Sequence, residues 1–192
     1  MQVLSAVHIG NELIELKTQA LRIGEELGVK CPLSVLPMHV SLKKGFETAP
    51  EDFGKCVSSI CSIYSTIRPF PVEVEGLELS SGIIWLRLKE SRRLFDIHAT
   101  LAEMGLKEFG IEPDDLDYIF KYHSTIFMDK NADLRPAFDE IRKVKLPKQI
   151  MVKEFIIGTT VDGRPESYAE YRRGKLGPFI SIKDEWNRFS GV

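Results

Sequence analysis

The chain has 192 residues with a formal net charge of -2; 43% of them are hydrophobic and 28% charged. That length can bury a sizeable core without a partner, the balance excludes a disordered class, and the charge excludes a global attraction to polyanions such as long duplex nucleic acid. No stretch reaches the ~18 apolar residues of a membrane span, and three cysteines (Cys31, Cys56, Cys61) without zinc-type spacing read as free thiols, so a cytoplasmic protein is expected.

In chain order, Gln2 to Ile9 predicts a strand, and Asn11 is the expected N-cap of a helix to about Leu27, with Leu13, Leu16, Ala20, Ile23 and Leu27 at helical spacing. Gly28 follows where a C-cap glycine belongs. Leu33 to Leu42 predicts a strand interrupted at Pro37, and Pro50 to Ile67 a helix opened by Glu51 and Asp52. Alternating residues Val72 to Leu79, then Ile83 to Leu88 across Ser80-Ser81-Gly82, predict a hairpin with a three-residue loop. Ser91 caps a helix predicted to end near Met104 at Gly105. Asp114 to Asp117 reads as an acidic loop, Tyr118 to Met128 as a strand, and Asp133 to Val144 as a helix with Pro136 in its first turn. Lys148 to Val161 predicts a strand ending at an Asp162-Gly163 turn, and Phe179 to Ile182 a further strand.

Two of these segments carry the chemistry. His39-Val40-Ser41 and His123-Ser124-Thr125 each set a hydroxyl two residues after a histidine. On a strand, residues two apart share a face and lie about 6.6 Å apart. A third instance, His98-Ala99-Thr100, falls inside a predicted helix, where residues two apart diverge, and reads as coincidence. His8 has Gly10 two places on and reads as a half-buried or surface histidine. The order of elements repeats one unit, a helix feeding a histidine-bearing strand, which would bring the two motif strands side by side on one cleft.

Two imidazoles flanking one phosphorus supply general acid and general base near neutral pH, and Ser41 and Thr125 are placed to hydrogen-bond nonbridging oxygens. Lys43 and Phe127 continue the two alternations and are candidate substrate contacts, the lysine as a cation for an anionic ligand and the phenylalanine as a stacking surface. Neither motif brings a carboxylate or cysteine at ligand spacing, and Asp129 lies past the second strand, so no metal is expected.

Two H-x-[ST] motifs half a chain apart, each on an apolar strand, resemble the 2H phosphoesterase superfamily, which includes the RNA 2′,3′-cyclic phosphodiesterases also called 2′-5′ RNA ligases. Pro69-Phe70-Pro71-Val72, Ile84-Trp85-Leu86 and the helix from Leu94 are similar to that family's layout. The resemblance implies an α+β, bilobal and pseudo-symmetric fold: residues 1–192 form one domain of two intertwined lobes, with two antiparallel sheets lining a central cleft and helices outside. It further implies His39 and His123 as catalytic residues, Ser41 and Thr125 as phosphate-binding hydroxyls, and a metal-independent phosphodiesterase without cofactor, acting on a cyclic phosphate or phosphodiester of a nucleotide or RNA end. The chain lacks the Arg-x-Phe string of the bacterial ligase branch and has Tyr122 where many members carry proline, which counts against ligation.

The alternative reading is a noncatalytic module that binds a nucleotide or RNA end in the same cleft. A weaker third reading makes His39 and His123 metal ligands. Arg172, Arg173, Lys175 and the stretch Arg142-Lys143-Val144-Lys145 are candidate basic rims for RNA, with solvated surface charge the commoner use of such clusters. A monomer without membrane contact or obligate protein partner is expected.

Overall fold

Two four-stranded antiparallel sheets hold every described strand. The computed structural model describes residues 2–113, 115–118, 120–160 and 168–177. The first strand, β1 (Gln2–His8), is buried from Val3 onward, so both of its faces are covered. Helix α1 (Ile14–Leu27) sets Leu16, Ala20 and Ile23 into the core and ends on Gly28 at φ 64, a left-handed C-cap that glycine adopts without steric cost. Asn11 is not its cap. A 3₁₀ turn over Gly10–Glu12 intervenes, and the cap position falls on Leu13.

The second strand begins later than the sequence predicts. A 3₁₀ turn occupies Pro32–Ser34, and β2 runs His39–Glu47, leaving Pro37 outside the ladder, where its missing N–H costs nothing. After a turn at Pro50–Asp52, α2 (Phe53–Ser65) buries Cys56, Val57, Ile60 and Tyr64. Strands β3 (Phe70–Ser80) and β4 (Ile83–Leu88) form the expected hairpin, but Ser80 pairs with Ile83, so the loop is Ser81-Gly82 alone. Both loop residues have positive φ, 50 and 76, as a type I′ turn requires.

Ser91 caps α3 (Arg92–Phe109), its Oγ accepting the Leu94 N–H at 3.3 Å. The helix runs past the predicted stop because Gly105 lies buried on its packed face, and Gly110, at φ 65, ends it instead. The acidic segment forms a short helix, α4 (Asp115–Tyr118), and the second motif strand, β5, is confined to His123–Met128. Helix α5 spans Arg135–Ile141 with Pro136 in its first turn.

The predicted strand over Lys148 to Val161 is two strands, β6 (Gln149–Val152) and β7 (Glu154–Thr160), separated by Lys153 alone and lying in different sheets. Strand β8 (Tyr168–Lys175), which the sequence pattern did not announce, pairs with β7. The predicted turn at Asp162-Gly163 and strand at Phe179 to Ile182 lie outside the described residues.

The sheet orders are β2-β1-β7-β8 and β5-β4-β3-β6. A motif strand is thus the outermost member of each sheet. One contiguous cluster of buried apolar side chains draws on α1, α2, α3, α5 and strands of both sheets, from Val3 and Val7 to Ile84, Phe127 and Ile150. Each such side chain gains about 1.5–3 kcal/mol from burial. That shared core fixes how the two motif strands meet.

Candidate active site

The motif strands touch at their histidine ends. The His39 N–H donates to Ser124 Oγ at 3.3 Å, and Ser124 is almost fully buried. Each histidine is tethered in the same way: His39 Nδ1 lies 2.8 Å from the Pro37 carbonyl and His123 Nδ1 lies 3.0 Å from the Lys121 carbonyl, both two residues back. A carbonyl only accepts, so Nδ1 carries the hydrogen in both rings. Nε2 of each has no hydrogen-bond partner among the described residues. In the neutral form that nitrogen is a base, and in the protonated form an acid, with no ring rotation between them.

Pairing register decides which side chains share the cleft face. His39 lies opposite His8, and Ser41 opposite Ala6; His123 lies opposite Arg87, and Thr125 opposite Trp85. Directly opposed residues stand on the same side of a sheet. His39 and Ser41 are therefore on one face of the first sheet, and His123 and Thr125 on one face of the second.

The alternations then stop. In β2 an extra residue, Leu42, falls between Ser41 and Lys43, so Lys43 pairs with Ser5 while Ser41 pairs with Ala6. In β5 an extra residue, Ile126, falls between Thr125 and Phe127, so Phe127 pairs with Ile84 while Thr125 pairs with Trp85. Each is a β-bulge, and each reverses the facing of the residue after it. Lys43 and Phe127, expected as substrate contacts, are accordingly turned away from the cleft. Lys43 is buried and ion-paired with Asp117, and Phe127 is fully buried in the core. Strict period-two counting missed this because an inserted residue changes the facing of those after it, which only the pairing with the neighbouring strand reveals.

The electrostatics of the histidines follow from their surroundings. Burial pushes His39 below its ordinary value, assisted by the charge of His123, against the stabilising Pro37 carbonyl. Burial likewise lowers His123, and the Lys121 and Arg87 cations lower it further, against the Lys121 carbonyl and Glu78. Beside His39, His8 is buried with its Nδ1 3.1 Å from Glu154 Oε2. Burial and then Arg173 lower His8, while Glu154 raises it.

His8, Arg87 and Trp85 are cleft-side residues that the sequence reading did not select. Their signal was available in position: each follows from pairing a motif strand with its sheet neighbour. Arg87 is held by Glu78 at 2.6 Å and Glu75 at 3.2 Å, and Trp85 sets its ring 5.2 Å from that of His123. His98 lies in α3 as expected and ties β2 to α4, with Nδ1 2.5 Å from the Leu42 carbonyl and Nε2 3.0 Å from that of Asp117. Among the basic clusters, Arg142 and Lys143, just past the end of α5, pair with Asp139 and Glu140 of its last turn, as solvated helix charges do. Arg173 is exposed, 3.7 Å from Glu154, whereas the Arg172 side chain lies outside the described part. Among the described residues no three His, Cys, Asp or Glu side chains converge as a metal site, and no helix is long and apolar enough to cross a membrane.

No protein-family model matches the chain. A protein of Oceanobacillus iheyensis, OB1230, which carries a provisional phosphoesterase name, is 26% identical over 103 residues; the match spans 52% of this chain and only 57% of that protein. Among solved structures, TT0787 of Thermus thermophilus superposes with a TM-score of 0.60 at 15% identity, covering 92% of this chain and 95% of that one. Escherichia coli LigT complexed with 3′-AMP superposes with a TM-score of 0.56 at 17% identity, covering 92% and 98%. LigT complexed with NADP+ gives a TM-score of 0.53 at 16% identity, covering 91% and 94%.

Proposed function

For a chain with the 2H phosphoesterase fold, and with phosphoesterases among its relatives, we infer a phosphodiesterase that opens the cyclic phosphate or cleaves the phosphodiester of a ribonucleotide or RNA end, using His39 and His123 as its acid–base pair. The observation that carries this reading is the shared tether: two histidines at the meeting ends of adjacent strands, each bonded through Nδ1 and each with Nε2 to spare. LigT is complexed with 3′-AMP in one of its solved structures, which supports a nucleotide as the ligand of this fold. The core common to both sheets supports residues 1–192 acting as one domain of two lobes.

In the mechanism, one neutral imidazole takes a proton from water as its oxygen attacks phosphorus, and the other, protonated, gives a proton to the departing ribose oxygen. The P–O bond to that oxygen breaks and a phosphomonoester is left. Ser41 and Thr125 donate hydrogen bonds to the nonbridging oxygens, where negative charge builds in the transition state. The bound phosphate also favours the protonated form of a desolvated imidazole beside it, which offsets the effect of burial on the acid. The proposed chemistry uses no metal.

Hydrolysis of 2′,3′-cyclic nucleotides tests this directly. Turnover is expected to persist in EDTA and to fall by about 10³-fold or more in both His39→Ala and His123→Ala. Full activity in either variant overturns the assignment, and saturable nucleotide binding without product identifies a binding module instead.

A further inference from the structure

One buried imidazole has no part in the mechanism above. His98 projects from α3 and is only 3% exposed. Its two nitrogens face backbone carbonyls that belong to different halves of the site: Nδ1 is 2.5 Å from the oxygen of Leu42, and Nε2 is 3.0 Å from that of Asp117. Leu42 is the bulge residue directly after Ser41, and Asp117 belongs to α4, on the segment that leads to His123. The extra residue of a bulge falls out of the regular ladder pairing, and here its carbonyl is taken up by His98. A carbonyl only accepts, so both nitrogens donate and the ring is held as an imidazolium.

Aromatic contacts continue the line toward the second motif. The His98 ring stacks on Phe120, with 4.5 Å between centroids at 12°, and Phe120 meets Tyr122 edge-on at 4.8 Å. A cationic ring against an aromatic face is favourable, and more so away from water. Tyr122 is the residue before His123, and its carbonyl accepts the Leu88 N–H at 2.8 Å, which seats the start of β5 on β4. Lys43, the residue after the bulge, reaches α4 as well, through its ion pair with Asp117. The two motif strands are thus attached at their histidine ends, by His39 and Ser124, and again past Ser41, by His98.

We propose that His98 is a positioning residue for the two-histidine chemistry: as a two-sided donor it clasps the strand of His39 and Ser41 to the segment that enters the strand of His123 and Thr125, and so sets the spacing of the two half-sites. The proposal rests on the phosphodiesterase reading for the chemistry that this spacing serves. Acid and base must reach one phosphorus together, and a displacement of about 1 Å in such a pair can cost on the order of 100-fold in rate.

Three measurements test it. In nitrogen NMR spectra of the wild type, both ring nitrogens of His98, identified by their loss in His98→Gln, should resonate as N–H and neither as a lone-pair nitrogen. In hydrolysis of a 2′,3′-cyclic nucleotide, His98→Phe, which keeps the stack on Phe120 and removes both donors, is expected to lower kcat about tenfold or more with KM within about twofold, and His98→Gln, with a donor for one carbonyl, to fall between. Ile141→Val and Ile141→Ala on α5 bracket the accompanying loss in Tm and should keep kcat near that of the wild type. Titration with inorganic phosphate should move the His39 and His123 ring signals with a single Kd in the wild type, and with a Kd about tenfold weaker in His98→Phe. Should His98→Phe fail to fold, the wild-type spectrum and His98→Gln still decide. A lone-pair signal from either nitrogen of His98, or a kcat in the His98 variants no lower than that of an Ile141 variant with the same Tm, overturns the proposal. A wild type that turns over no cyclic nucleotide, yet grips phosphate with both rings and loses that grip in His98→Phe, overturns the phosphodiesterase reading and upholds the clasp.

Discussion

At the scale of single residues, the histidines are tuned by burial more than by their charged neighbours. His8, His39 and His123 all lie below their ordinary value of 6.5 in the folded chain. A lowered folded value means that the unfolded chain takes up protons first as pH falls, so the stabilisation is fully present above 6.5 and is lost below it. Urea midpoints measured at pH 7.5 and pH 5.5 should therefore differ, with the lower stability at pH 5.5, and His8→Gln should shrink the difference. Catalysis moves in the same direction: the acid limb of kcat/KM against pH is expected to have its midpoint below 6.5. A limb centred above that value would contradict the environment described for both rings. The His39–Ser124 contact makes a separate prediction, because Ser124→Ala leaves the His39 N–H without its acceptor. A loss of about 1 kcal/mol, seen as a Tm lower by about 2–4 °C, is the expected result.

At the scale of elements, the paired bulges are what separate the site from the core. Up to Ser41 and Thr125 the strands obey the alternation that makes H-x-[ST] legible in the sequence, and that part of the site could be read from spacing alone. Beyond them the facing of Lys43 and Phe127 depends on an inserted residue in each strand, which only the pairing register reveals. Lys43 consequently belongs to a buried ion pair that joins β2 to α4. Asp117→Ala strands that ammonium in the interior and should cost about 3–5 kcal/mol in chemical denaturation, whereas Lys43→Met with Asp117→Leu should recover most of it. Recovery absent from the double variant would point to a role for Asp117 beyond the pair. The helices were legible in kind because their apolar spacing is regular, but their ends were displaced wherever a 3₁₀ turn took the first residues or, as at Gly105, packing carried the helix through a glycine.

At the scale of the whole molecule, the chain changes sheets across a single residue, Lys153, between β6 and β7. Two apolar stretches, Ile150 to Val152 and Phe155 to Ile157, flank the charged pair Lys153-Glu154, and that pair is where the crossing falls. With the core common to both sheets, the crossing should make unfolding one transition, and urea curves followed by tryptophan fluorescence and by far-UV circular dichroism are expected to coincide. Gly174 belongs to this scale too, because a Cβ there would come within 2.4 Å of the Phe155 ring, which stacks on Tyr64 of α2 at 4.4 Å. The meeting of β2 and β5 has a further effect. Each is an edge with backbone groups not satisfied by a ladder on that side, and such edges template association with other chains when left bare. At their histidine ends, where His39 N–H reaches Ser124, the two edges shield each other, so substitutions that widen the cleft there would also uncover two sticky borders, and colloidal instability at high protein concentration is the cost to watch for.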